Sequence, residues 1–119
     1  MIAPPKRICL ISVEIFAFGK YGGFGKATRT IGAELVKRGY EVFAVVPRRG
    51  EQGAEENIDG ITVLSYKPGD VLSSGALYKK INADIYHSCE PSFGTYLAKK
   101  HVPDARHIAT IRYPRDAHD

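Results

Sequence analysis

The chain has 119 residues, 44% of them hydrophobic and 25% charged, with a formal net charge of +4. That is the size and balance of a single globular domain, and it excludes collagen, coiled coil and wholesale disorder. A chain this long buries enough apolar surface to hold a core without staples. The longest apolar run, Ile8 to Val13 with Ser12 inside it, is far short of a membrane span. No apolar stretch long enough for a signal peptide precedes the first strand, so the expected compartment is the cytoplasm. Cys9 and Cys89 make neither a disulfide scaffold nor a zinc spacing. No Lys/Arg run exceeds two, and no aromatic-basic signature of nucleic-acid binding is present. The mild positive charge suits an anionic ligand, or peripheral contact with an anionic membrane at its inner face.

In chain order, Arg7 to Val13 reads as a strand buried on both faces. A loop over 14–23 follows, with three aromatics and three glycines. From Phe24 to Arg38 the period becomes helical, with Phe24, Ala27/Thr28, Ile31 and Leu35 on the inward stripe. Gly39 ends this helix behind two cations. Glu41 to Val46 is a second strand, 48–60 a polar loop, and Ile61 to Tyr66 a third strand. Ser73 or Ser74 caps a short helix to about Asn82, with Leu77 and Ile81 inward. Asp84 to Ser88 is a fourth strand, and Pro91 opens a helix to His101 with Phe93, Tyr96 and Leu97 on one face. His107 to Ile111 is a fifth strand. Apolar strands alternating with helices predict a doubly wound, Rossmann-like parallel sheet of about five strands in a three-layer α/β/α domain. In such a sheet ligands bind at the carboxyl ends of the strands, where the strand order reverses. The positions to inspect are therefore 14–26, 88–92 and 112–116.

The segment GKYGGFGK (19–26) runs straight into the first helix. A helix N-terminus offers unpaired N–H groups and partial positive charge, and glycine lets a backbone approach an anion closely. Gly22, Gly23, Gly25 and Lys26 are thus candidate binders of a phosphate-bearing ligand. The P-loop pattern fails, because Gly19 to Gly25 is one residue too long and Ala27 follows Lys26. The dinucleotide fingerprint also fails: Thr28 takes the third glycine place, and Pro47-Arg48-Arg49 stand where an acidic residue belongs. Those arginines keep an NADP-type domain open as an alternative.

Three blocks resemble the amino-terminal half of a GT-B glycosyltransferase of the family 4 type. They are GGFG (22–25) with LVKRGYEV (35–42) running on to Pro47, then DIYHSCEP (84–91), then IATIR (108–112). They stand in the family's order and extend through the whole chain. The resemblance implies transfer of a sugar from a nucleotide-sugar donor to an acceptor, with retention and without a metal or other cofactor. It implies that residues 1–119 form part of the acceptor-side domain, and that a carboxy-terminal donor-binding domain is missing. The isolated piece is then expected to be inactive. Cys89 stands where the family has a second histidine, and Arg112 where many members have a histidine near the reacting sugar. Arginine cannot act as a general base, but it clamps phosphate or carboxylate bidentately. Glu14, His87, Glu90, Arg112, Arg115 and Asp116 are the remaining candidates for the substrate cleft, each with a competing reading as core or solvated surface. No catalytic residue is singled out. A non-catalytic Rossmann-like binding module stays open as the third reading.

Overall fold

The computed structural model describes residues 6–11, 22–47, 55–67, 70–88 and 93–109; for residues 22–27 and Phe93 it describes the backbone alone. The strands are β1 (Arg7–Ile11), β2 (Glu41–Pro47), β3 (Glu55–Ile58), β4 (Ile61–Tyr66), β5 (Ile85–Ser88) and β6 (Arg106–Ala109). The helices are α1 (Gly22–Lys37), α2 (Ser74–Ile81) and α3 (Phe93–His101), with a 3-10 turn at Val71–Ser73 before α2. All six strands form one sheet in the order β3-β4-β2-β1-β5-β6. Every pairing is parallel except β3 with β4.

Period-2 alternation sorts the strand side chains into two cores. Ile8, Leu10, Val42, Ala44, Val46, Ile61 and Val63 face α1, where Leu35 and Val36 meet them. Cys9, Ile11, Val45, Leu64 and Tyr86 face the opposite way, onto Tyr78 and Ile81 of α2 and Leu97 and Ala98 of α3. Both faces of the sheet are covered, as the near-continuous apolar strands demand. The expected three-layer α/β/α fold is the fold observed.

Among the described residues the sheet has six strands rather than about five, and the additional strand lies in the segment expected to be loop. Glu55–Ile58 reads polar because only alternate positions are half-buried at the sheet edge. Ile58 pairs with Ile61 across a two-residue turn, Asp59-Gly60, with φ of 55° and 88°. That is the left-handed turn geometry which matches strand twist, and Asp-Gly favours it strongly. Gly60 N–H donates to Asn57 Oδ1 at 3.1 Å.

The helices also differ from expectation in detail. The buried stripe of α1 runs through Thr28 and Gly32 to Leu35 and Val36, while Ile31 is exposed. Gly32 sets this rotation: a Cβ there would collide with Ile61, so α1 lies close on the sheet at that point. In α2 neither serine caps by its side chain; Ser73 Oγ donates to the Asp70 carbonyl and Ser74 Oγ to that of Val71. Asn82 closes α2 in the left-handed conformation, φ 49°. In α3 Leu97 and Ala98 point inward and Tyr96 outward. Cys9 is fully buried and sits opposite Tyr86 in the β1–β5 register.

Candidate functional site

The chain leaves β1 toward β2 on one side and reaches β5 and β6 on the other, so the strand order reverses between β1 and β5. These two strands end together, with Ile11 opposite Ser88. Each is followed in sequence by a helix, α1 on one face of the sheet and α3 on the other. Helices in parallel α/β units run back along the strands, so their N-termini lie toward the carboxyl edge. Neither α1 nor α3 has an acidic residue in its first turn. The positive ends of both dipoles therefore go uncancelled from within their own helices.

Gly22, Gly23 and Gly25 belong to the first turn of α1 itself, with Lys26 directly behind, and not to a loop before it. A helix cannot bond its first four N–H groups internally, and those of α1 include three glycine amides with no Cβ beside them. His87 lies on β5, half-buried, paired with Leu10 on one side and Ile108 on the other. Burial holds its imidazole below the ordinary value, so it is neutral at neutral pH. The topology thus brings the glycine turn and His87 to the same pair of central strands. Glu14, Glu90, Arg112, Arg115 and Asp116 lie outside the described residues.

One relationship at this edge had no sequence signal. Ser88, the last residue of β5, is 1% exposed, and its Oγ lies 2.8 Å from Oγ1 of Thr95 in the first turn of α3. This hydroxyl contact ties the strand end to the helix start across the segment that carries Glu90. Two hydroxyls seven residues apart do not stand out in a sequence until strand and helix ends are known.

Behind the site, Tyr86 joins the layers. Its hydroxyl donates to the Tyr78 carbonyl at 2.6 Å and accepts from Ala83 N–H at 2.9 Å. His107 stacks on its ring, with centroids 5.3 Å apart, while its Nε2 is 2.8 Å from the Val102 carbonyl. Elsewhere, an open groove of about 370 Å³ runs between α1 and the β3–β4 turn, lined by Arg29, Glu34, Lys37 and Asp59 among others. Its charges are mixed, and it lies on the outer side of α1. Among the described residues no group of three or more His, Cys, Asp or Glu is placed to hold a metal ion.

No curated protein and no solved structure matches the chain. A family model does: that of the starch synthase catalytic domain, over residues 7–108. The match runs from the first residue of β1 into β6, so it spans the whole described sheet and both of its central strand ends. The resemblance found in the sequence is therefore right about sugar transfer, while the matching model is that of the starch synthases and not of family 4. A doubly wound domain covered from β1 to β6 by this model belongs to the starch synthase catalytic-domain family of glycosyltransferases.

Proposed function

We propose that the chain is the acceptor-side half of a two-domain GT-B glycosyltransferase that moves a sugar from a nucleotide-sugar donor to an acceptor. The family match across residues 7–108 carries this reading. In the matched family the product is starch, so the transferred unit is proposed to be glucose and the acceptor a glucan chain end. The glycine amides of the α1 first turn face the donor diphosphate and stabilise the charge that develops as the nucleotide leaves. Lys26 adds to that field. His87, neutral in its half-buried place, presents a hydrogen-bonding edge to sugar hydroxyls. Arg112, Arg115, Asp116, Glu14 and Glu90 complete the cleft in this proposal. Transfer is taken to be retaining and metal-independent, as the likeness to family 4 sequences implies. In such an enzyme a second domain supplies most contacts to the nucleotide, and this domain supplies the glycine turn and the acceptor side.

Amide NMR on the isolated chain tests the reading. Titration with ADP-glucose or UDP-glucose is expected to shift the Gly22, Gly23 and Gly25 amides. Maltooligosaccharide is expected to shift resonances at the ends of β1 and β5. A response to NADPH with none to either nucleotide sugar overturns the proposal.

A further inference from the structure

The cations of the described surface are distributed unequally between its two faces. On the α1 side, Arg29 is bound to Asp59 at 2.7 Å and Arg38 to Glu34 at 3.2 Å. On the opposite side, α2 and α3 contain no aspartate or glutamate at all. They carry Lys79, Lys80, Lys99 and Lys100 in their last turns, all exposed, and none forms an ion pair among the described residues. Asp70, Asp84 and Asp104 stand beyond the helix ends, and Asp84 is occupied by the Arg7 backbone N–H.

The same layer carries the two most exposed large hydrophobics among the described residues, Leu72 at 65% and Tyr96 at 56%. Tyr96 precedes Lys99 and Lys100 by three and four residues, so all three share one helical face. Leu72 belongs to the 3-10 turn that packs on α3. The two helices are locked into one slab, because Gly75 leaves room for the His101 ring, which any Cβ there would strike. A leucine and a tyrosine more than half exposed in the same layer as unneutralised lysines are the composition of an interfacial membrane face. A nucleic-acid backbone has no use for the leucine, and a neutral glucan has none for the lysines. No described helix is long and apolar enough to cross a membrane.

We infer that the outer face of α2 and α3 docks on an anionic lipid surface, with Leu72 and Tyr96 entering the headgroup boundary and the four lysines pairing with lipid phosphates. This face is separate from the glycine turn, so the inference stands whether or not the sugar-transfer reading holds.

Vesicle co-sedimentation of the full chain tests it. Binding is expected to vesicles holding about 30% phosphatidylglycerol and not to pure phosphatidylcholine, since each lysine near an anionic surface is worth roughly a fivefold gain. About 0.5 M salt should abolish it, because the screening length then falls to a few ångströms. Lys80→Glu/Lys100→Glu is expected to weaken partition at least about twentyfold. The control Lys37→Glu/Arg38→Glu, with the same change in net charge at the carboxyl end of α1, should weaken it less than about fivefold. Leu72→Ser/Tyr96→Ser should also weaken it, and circular dichroism confirms that each variant is folded. Absence of binding to anionic vesicles overturns the inference, as does an equal loss in the control pair. Binding unaffected by Leu72→Ser/Tyr96→Ser overturns it too.

Discussion

Tyr86 on β5 gives its phenolic proton to the Tyr78 carbonyl on α2 at 2.6 Å, and the two rings meet edge-on with centroids 6.0 Å apart. One side chain thereby fixes where α2 rests on the sheet. It also satisfies Ala83 N–H, at the point where the chain turns from α2 back into β5. Replacing Tyr86 with phenylalanine takes the acceptor away from the buried Ala83 N–H and leaves the Tyr78 carbonyl with the Asn82 N–H alone. The expected cost is about 1–3 kcal/mol in urea unfolding.

Alkaline pH should find the same network. Burial pushes the Tyr86 phenol up to about 12, and Tyr78 is raised further by the same cause. Unfolded tyrosine loses its proton near pH ~10. Above that pH the unfolded state binds fewer protons than the folded one, so stability present below 10 is lost as pH rises toward 12. A stability profile from pH 9 to 12 should fall, and Tyr86→Phe should make it shallower. An unchanged slope in that variant would contradict the assignment.

His87 shifts in the opposite direction. Burial holds it below the ordinary histidine value, so its contribution is present at neutral pH and lost as pH falls through the folded value. His87→Gln is expected to flatten the dependence of stability on pH between about 7 and 5, with little change at pH 8. NMR titration of the ring protons reads the same quantity directly.

At the strand end, Ser88→Ala and Thr95→Val each remove one half of a hydroxyl contact. Each is expected to cost about 1 kcal/mol. The double variant should cost less than the two together, because the contact between the hydroxyls is already lost with the first change. Strict additivity in a double-mutant cycle would mean that the two hydroxyls do not interact.

Gly32 sets the distance between α1 and the sheet. Gly32→Val should destabilise the fold by about 1–3 kcal/mol through overpacking against Ile61 and Leu10. Adding Ile61→Val should recover part of that loss, while the same relief should do nothing for Gly60→Ala, whose Cβ would meet Val36 instead.

The strands were legible because Arg7–Ile11, Glu41–Pro47 and Ile61–Tyr66 are buried on both faces and so read as unbroken apolar runs. Strand β3 was not, because an edge strand with polar alternation resembles a loop; the Asp59-Gly60 pair was the available signal. Helix faces went astray where a small residue packs inward. Gly32 and Ala98 carry little hydrophobic weight, so Ile31 and Tyr96 were assigned burial that they do not have. The sequence put the glycine segment behind the first strand and His87 on the fourth expected strand, but that these two strands lie side by side at the middle of the sheet is known only from the sheet order. The Ser88–Thr95 contact and the Tyr86 network depend on where element ends fall in space, which residue type does not encode.

The position of β1 also sets the order in which the sheet can assemble. It is the first strand in the sequence and lies at the middle of the sheet, with neighbours drawn from β2 and β5. Arg7 N–H reaches Asp84 across 77 residues, and its side chain reaches Glu41 across 34. The β3–β4 hairpin, by contrast, closes over two residues. Loop-closure entropy favours the hairpin early, whereas the central strand must wait for partners made much later. A ribosome that has released β1 has released a strand with nothing to pair with, so refolding should be slow for a chain this short and sensitive to substitutions that stabilise the hairpin.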